Sequence, residues 1–106
     1  MDNSNSVFET IKSAVRSILP DARVLLFGSR ARGDFNKHSD YDVLVITKET
    51  ISLRKKLDFR GEINKTLVNV LRAPVDVLLN SEEEINNKKN LPGHIVKCAM
   101  NEGIEL

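Results

Sequence analysis

Apolar residues recur at helical spacing near the start of the chain and then give way to a short continuous apolar run. From Val7 to Leu19 the apolar positions fall three or four residues apart, which predicts an amphipathic helix ended by Pro20. The run Arg23–Phe27 is too short for such a helix and predicts a buried strand. The chain therefore begins with a helix followed by a strand.

The same alternation of elements continues downstream. Asp42–Ile46 is a second short apolar run and predicts a second strand. Ser52–Leu71 has helical spacing over a long stretch, with Gly61 inside it as a place for a bend or for close packing. Pro74 interrupts this pattern, and Val75–Leu79 predicts a third strand. The core side of the long helix is expected to hold Leu53, Leu57, Ile63, Leu67, Val68 and Leu71.

The last part of the chain predicts smaller elements. Ser81–Glu84 is typical of a short capped turn of helix, and Asn86–Asn90 of a solvated loop. Leu91–Glu102 predicts a final helix that stops at Gly103, and residues 104–106 predict a short edge strand. The inward side of the final helix is expected to hold Ile95, Cys98 and Ala99.

Helices that alternate with strands predict a sheet with helices packed on it. A length of 106 residues fits one domain over residues 1–106. The net charge of +1 gives no overall sign of a nucleic-acid or membrane surface. No apolar stretch approaches the roughly 20 residues of a membrane helix. Because Cys98 is the only cysteine, no internal disulfide is expected, and a cytoplasmic location is the default expectation.

The segment between the first two strands holds the residues with the clearest chemistry. A Gly-Ser turn, Gly28 and Ser29, follows the first strand, and the carboxylates Asp40 and Asp42 stand at the start of the second. About a dozen residues rich in Gly, Arg, Asn, His and Asp join the two strands. A loop of that length in a small domain is usually functional.

The spacing of the carboxylates favours a shared metal site. Alternate residues of a strand point to the same face, roughly 6.6 Å apart, so Asp40 and Asp42 can aim at one point. Asp76 interrupts an apolar run, where an unpaired charge would be costly, and joins them if the third strand lies beside the second. Oxygen-only ligands favour magnesium or manganese, and two such ions would activate an attacking oxygen and stabilise a leaving pyrophosphate. The alternative is that all three are ordinary turn or strand-end residues.

The Gly-Ser turn is suited to phosphate. Gly28 has no side chain to obstruct a ligand, and Ser29 offers a hydroxyl and a backbone N–H. If a helical turn begins there, its free N–H groups form an anion site, and Arg30 and Arg32 add positive charge. The alternative is a plain strand-to-loop turn with solvated arginines.

Together these residues resemble the minimal nucleotidyltransferase family of the polymerase-beta-type superfamily. The pattern of that superfamily is a Gly-Ser, about ten residues, an Asp-x-Asp and a third Asp on a later strand. The matching residues here are Gly28, Ser29, Asp40, Asp42 and Asp76, together with Ala31, Arg32 and Gly33 after the Gly-Ser and Ser39 before the Asp-x-Asp. The compound motif is specific, whereas an Asp-x-Asp alone is not.

The resemblance implies an α+β, palm-like fold with a small mixed sheet and helices packed on it. It implies that Asp40, Asp42 and Asp76 hold two Mg²⁺ ions and that Gly28 and Ser29 bind the triphosphate of ATP with Arg32 nearby. Small members of the family pair with a helical HEPN-type toxin, and such antitoxins transfer AMP from ATP to a tyrosine of the toxin.

The acceptor is expected on another chain or on a second copy of this one, because the sequence lacks the extra domain with which larger relatives hold an acceptor. Two other functions stay open from the sequence. One is a non-catalytic antitoxin that neutralises its partner by contact. The other is a small-molecule nucleotidyltransferase, for example one acting on antibiotics.

Overall fold

The fold is a four-stranded sheet with helices on both faces. The computed structural model describes residues 3–36, 39–88, 91 and 94–106. The elements are, in chain order, α1 Asn3–Ile18, β1 Arg23–Phe27, α2 Ser29–Arg32, β2 Tyr41–Thr47, α3 Leu53–Leu71, β3 Val75–Ser81, α4 Glu82–Lys88, α5 Ile95–Glu102 and β4 Ile104–Glu105. The predicted order of helices and strands is confirmed, including the edge strand at the end of the chain, but the loop between β1 and β2 also contains the short helix α2. None of the helices in the described residues has the length and apolar character needed to cross a bilayer.

The sheet is mixed, as expected. Its strand order is β3-β2-β1-β4, with β2 parallel to β3 and β1 antiparallel to both of its neighbours. The central residues of β1, β2 and β3 are apolar, because both faces of these strands are covered by helices. β3 is an outer strand, so one of its backbone edges has no strand beside it.

Two apolar clusters cover the two faces of the sheet. On the α1/α3 face, side chains from alternate strand positions pack against the two helices. The strands contribute Val24, Leu26, Val43, Val45, Val77 and Leu79, and the helices contribute Ile11, Val15, Ile63 and Leu67. On the α4/α5 face, the intervening strand positions pack against the other two helices. The strands contribute Leu25, Phe27, Leu44 and Ile46, and the helices contribute Ile85, Val96 and Ala99. This alternation assigns every strand residue, including the acidic ones, to one face.

The long helix contacts the sheet through a narrower stripe than its sequence predicts. Ile63 and Leu67 are completely buried, as expected. Three other residues predicted for the core are exposed by 71%, 49% and 38%: Leu53, Leu57 and Val68. On a helix of 3.6 residues per turn they share a flank with Asn64, whose amide donates a hydrogen bond to the Val75 carbonyl of the outer strand. That flank projects beyond the edge of the sheet, so no described strand covers it.

Gly61 does not serve close packing, which was one of the two roles that the sequence suggested. It is exposed, nothing lies within 4 Å of the position that a Cβ would occupy, and α3 continues through it. We expect Gly61→Ala to raise the free energy of unfolding by about 0.5–1 kcal/mol, because alanine loses less backbone entropy in a helix. Urea unfolding would measure this gain, with Lys65→Ala on the exposed side of α3 as a control, since lysine and alanine have similar helix propensities. A decrease for Gly61→Ala alone would show that the helix needs glycine there.

The turn after β3 is capped as predicted, but the helix that it begins is longer. The backbone N–H of Glu84 donates to the Ser81 hydroxyl, and the Ser81 N–H donates to the Glu84 carboxylate, which is a capping box. α4 continues to Lys88, so the first three residues of the predicted loop Asn86–Asn90 are helical. Residues 89 and 90 lie outside the described residues. The acidic first turn and Lys88 in the last turn suit the helix dipole.

The final helix begins later than predicted and turns a different side to the sheet. His94 caps its start by accepting a hydrogen bond from the N–H of Val96, so α5 begins at Ile95 and not at Leu91. Val96 and Ala99 are buried, whereas Ile95 and Cys98 are exposed. The expectation that Ile95 and Cys98 face inward was therefore wrong, because this short helix packs through positions 96, 99 and 100, which are spaced by three and four.

An ion pair across the fold gives the stability a dependence on pH. Lys56 of α3 lies 2.8 Å from the Glu84 carboxylate of α4. Burial acts to raise the pKa of Glu84, but the hydrogen bonds from Lys56 and Ser81 outweigh it and hold the pKa below its ordinary value. A lowered carboxyl pKa stabilises the fold above the unfolded-state value near 4.5, and this contribution disappears as the pH falls through the folded-state pKa.

We therefore expect Glu84→Gln to lose up to about 1 kcal/mol of stability at neutral pH and to lose less than the wild type on acidification. Glutamine keeps the capping geometry, so the difference isolates the charge. Urea unfolding at a series of pH values between neutrality and about pH 3 measures it. Glu62→Gln, at an exposed position of α3, is the control. Parallel pH profiles for the wild type and Glu84→Gln would contradict the prediction.

Candidate functional site

The candidate site lies where the end of β1 meets the starts of β2 and β3. Phe27, the last residue of β1, is paired with Asp42, and Asp42 is paired with Asp76 of the parallel strand β3. Residues paired in register point to the same face of a sheet. The third strand lies beside the second, as the sequence argument requires, and Asp42 and Asp76 share the α4/α5 face.

Asp40 completes the acidic group from the loop. It precedes β2 and is exposed, as is Asp76, whereas Asp42 is half-buried. Burial raises the pKa of Asp42, and the charges of Asp76 and Asp40 raise it further, while the charge of Arg32 acts in the opposite direction. The three carboxylates are therefore close enough to repel one another.

This donor set fits a divalent cation. Three carboxylates provide only oxygen ligands, and a hard cation would relieve both their repulsion and the cost of burying the ionised form of Asp42. Within the described residues, however, no three acidic, histidine or cysteine side chains are already gathered as closely as the ligands of a metal. The three carboxylates therefore lie close to one another, but their oxygens are not yet arranged as the ligands of a bound ion.

Gly28 is fixed by its contact with Asp42. Its φ of 73° and ψ of −159° lie in a region that residues with side chains rarely adopt. A Cβ at this position would overlap the Asp42 carboxylate. Glycine therefore allows the turn after β1 to lie directly against the central carboxylate.

The short helix α2 leaves two donors at this turn. Its own hydrogen bonds begin with the N–H groups of Ala31 and Arg32, which donate to the Gly28 carbonyl. The N–H groups of Ser29 and Arg30 precede these and are not used by the helical turn. Ser29 and Gly28 thus lie where backbone donors are available beside Asp42, as a phosphate-binding turn requires.

Arg30 has contacts that the sequence did not suggest. Its guanidinium lies between two aromatic rings, 4.5 Å from the centroid of Phe35 and 4.3 Å from that of Tyr41. It also donates two hydrogen bonds to the Ser39 carbonyl, at 3.1 and 3.3 Å. These contacts hold the loop on both sides of Asp40, so in this structure Arg30 positions the acidic group. Its predicted contact with phosphate stays a prediction.

Arg32 joins the site to the end of the chain. Its side chain lies 3.3 Å from the Asp34 carboxylate and 3.4 Å from that of Glu102 in α5. Nearly half of the Arg32 side chain is exposed, and its charge is felt by Asp42. Arg32 therefore lies close enough for its charge to act on the carboxylates, and its predicted contact with triphosphate stays a prediction.

Sequence reasoning missed the residues beside Asp76 on the outer side of β3. A cavity of about 360 Å³ opens there, and Arg60 and Asn64 of α3 line it together with Asp76. Their four-residue spacing places them on one side of a helix, but nothing in the sequence indicates that this side reaches the carboxylates.

Comparison with known proteins identifies the family. A model of the family described as "Nucleotidyltransferase domain" matches residues 8–105. The chain is 44% identical over 52 residues to "Putative protein adenylyltransferase MJ0141" of Methanocaldococcus jannaschii. That match covers 47% of this chain and 52% of the relative, so the chain matches only about half of the length of this curated relative.

Solved structures share the fold. A toxin–antitoxin with AMP-PNP superposes with a TM-score of 0.70 at 20% identity, covering 92% of this chain and 70% of the other. A tri-AMPylated HEPN toxin in complex with an MNT antitoxin, from Shewanella oneidensis, gives a TM-score of 0.60 at 18% identity, covering 96% and 70%. The predicted α+β, palm-like fold is confirmed.

Proposed function

Since this chain belongs to the nucleotidyltransferase domain family, we propose that it transfers AMP from ATP to a hydroxyl group of a partner protein. The observation that carries the proposal is the register of Asp42 with Asp76 immediately beside the Gly28 turn. This arrangement places carboxylate oxygens, which can bind cations, next to backbone N–H groups, which can bind phosphate. The named activity of the relative from M. jannaschii, protein adenylylation, supports the choice of a protein acceptor.

In this mechanism, Asp40, Asp42 and Asp76 would hold two Mg²⁺ ions, with Mn²⁺ as a substitute. When bound, such ions activate the attacking oxygen and stabilise the leaving pyrophosphate. Gly28 and Ser29 form the turn that binds the triphosphate, through the N–H groups of Ser29 and Arg30, and Arg32 contributes positive charge beside it. The half-buried Asp42, between its two acidic neighbours, is the central ligand.

The transfer exchanges one bond to phosphorus for another. A bond forms between the acceptor hydroxyl oxygen and the α-phosphorus, and the bond from that phosphorus to the bridging oxygen of the β-phosphate breaks. Pyrophosphate leaves, and the hydroxyl proton passes to a carboxylate. Asp76 is suited to accept it, because it is the exposed carboxylate on the outer strand, beside an open cavity.

We further propose that the acceptor is a HEPN-type toxin and that the chain acts as its antitoxin. Two solved structures of the same fold, a toxin–antitoxin with AMP-PNP and an AMPylated HEPN toxin with its MNT antitoxin, support this partner. A short helical protein encoded beside this chain would be the first candidate.

The direct test is transfer of label from ATP. The chain is incubated with ATP labelled on the α-phosphate, Mg²⁺ and the neighbouring gene product, and the label on protein is measured. We expect the partner to be labelled, the label to disappear with a chelator, and Mn²⁺ to restore it. Absence of label with either metal, while the two proteins still form a complex, would overturn the transfer.

A second candidate function, which the sequence leaves open, is a non-catalytic antitoxin. Such a chain would neutralise the toxin by contact alone. Protection of cells by the double variant Asp40→Asn/Asp42→Asn at wild-type strength would favour this function, whereas loss of protection would favour transfer.

A further inference from the structure

The cavity beside Asp76 lies opposite the turn expected to bind triphosphate. Gly28 follows β1, whereas the cavity adjoins β3, and β2 with Asp42 lies between them. In phosphoryl transfer the attacking and leaving oxygens are roughly in line on opposite sides of the phosphorus. If the leaving pyrophosphate lies at Gly28, the attacking hydroxyl must arrive from the β3 side.

A second cavity extends this space along β3. It has a volume of about 190 Å³ and shares Arg60 and Leu78 with the first. Among the described residues, every charged side chain that lines it is basic, namely Lys56, Arg60 and Lys88, and His94 lies beside them. Leu78 and the exposed Ile95 add apolar surface. We call the two cavities together the β3 groove.

The positive charge of the β3 groove is only partly balanced by the protein. Lys56 is paired with Glu84, but Lys88 donates to the neutral amide oxygen of Asn80. Arg60 is exposed, and among the residues that the structure describes no carboxylate forms an ion pair with it. The charge of Lys88 also acts on Glu84, and Asp76 lines the other end of the groove. The net positive charge left for an anionic occupant is therefore confined to the end away from Asp76, where Lys56, Arg60 and Lys88 share one carboxylate.

The length of the groove fits an extended peptide. From Asp76 to Asn80 the strand advances four residues, which corresponds to about 13 Å. An extended segment lying along it would place a hydroxyl side chain at Asp76 and a side chain about four residues further along near Lys88. Arg60 lines both cavities and lies between these two ends.

We propose that the β3 groove binds the acceptor segment of the partner protein, and that Arg60 and Lys88 select a segment with an acidic side chain about four residues from the hydroxyl that is modified. This specificity rests on the proposed function, because it assigns the β3 side of the site to the acceptor. Arg60 and Lys88 contact the segment away from the reacting atoms and are specificity-determining residues.

Binding of short synthetic peptides tests the proposal without any transfer step. The probes are two fluorescent peptides with a single tyrosine, one with glutamates at three to five residues on either side and the other with lysines there. We expect the full chain to bind the acidic peptide about tenfold more tightly, as measured by fluorescence anisotropy at constant ionic strength. We expect Arg60→Glu/Lys88→Glu to abolish this preference.

A matched control changes the same charge elsewhere. Lys55→Glu/Lys65→Glu alters two exposed lysines of α3 outside the residues that line the groove, so it should keep the preference. Thermal unfolding establishes that each variant is folded. Equal binding of the two peptides by the wild type, or the same loss of preference in both double variants, would overturn the proposal.

Two further outcomes distinguish this proposal from a nucleic-acid-binding surface and from the proposed transfer reaction. If a single-stranded RNA binds more tightly than the acidic peptide and depends on Arg60 and Lys88, the groove is a nucleic-acid surface and the proposal is wrong. Asp42→Asn should still bind the acidic peptide. If the peptide preference holds while no label is transferred to any protein, only the proposed transfer fails.

Discussion

Asp42→Asn is expected to reduce transfer of label from ATP by at least about 10²–10³-fold, without loss of stability. Removing one group that stabilises charge in a transition state typically reduces the rate by this factor. In this variant the lost group is the central carboxylate of the proposed cation site. Stability should be unchanged or higher, because burial and the charges of Asp76 and Asp40 raise the pKa of Asp42, which means that its ionised form is costly in the fold.

Two measurements on the same protein decide this prediction. Label transfer to the partner gives the activity, and urea unfolding at neutral pH gives the stability. Asp34→Asn is the control, since it removes an exposed carboxylate of the same loop that is paired with Arg32. If Asp42→Asn lowers the free energy of unfolding by several kcal/mol, the carboxylate is structural. If transfer persists near the wild-type rate, Asp42 is not a ligand that the reaction needs.

Gly28→Ala is expected to lower the free energy of unfolding by about 2–5 kcal/mol and to abolish transfer. Part of this cost is backbone strain, since alanine must adopt a φ of 73°. The rest arises because the new methyl group overlaps the Asp42 carboxylate and must displace it or the turn. Urea unfolding measures the loss of stability, and label transfer measures the loss of activity.

Gly33→Ala is the matched control for strain alone. Its φ of 87° is also in the left-handed region, but nothing lies within 4 Å of the added methyl group. We expect it to cost about 1 kcal/mol. A second control removes the overlap: in an Asp42→Ala background, Gly28→Ala should cost little more than Gly33→Ala. Equal costs for the two glycines in the wild-type background would show that contact with Asp42 is unimportant.

The acidic face was predictable from strand geometry and one assumption about neighbours. A period of two along β3 sets Asp76 on the same side as Leu78, and the same period sets Asp42 with Leu44. The sequence could not show that β2 and β3 are adjacent and parallel. The observed register supplies this, and it makes the two carboxylates direct partners.

The errors in the two helices have different causes. Apolar spacing shows which residues could be buried, but not how wide the surface is that covers them. α3 overhangs the edge of a four-stranded sheet, so Leu53 and Leu57 stay exposed although they fit the pattern. In α5 the helix begins at Ile95, and its packing through Val96 and Ala99 turns Cys98 outward.

What the amino-acid order determined by itself is local: the elements, the turn at Gly28, the capping of α4 and the side of each strand on which its carboxylate stands. These follow from repeat spacing and from backbone preferences that act within a few residues. Tertiary structure alone decided which distant groups meet, such as Arg30 between the rings of Phe35 and Tyr41, and Arg60 beside Asp76. Such contacts depend on how whole elements pack against one another. The spacing of residues along the chain does not show that a cavity separates the side of α3 from the outer edge of β3.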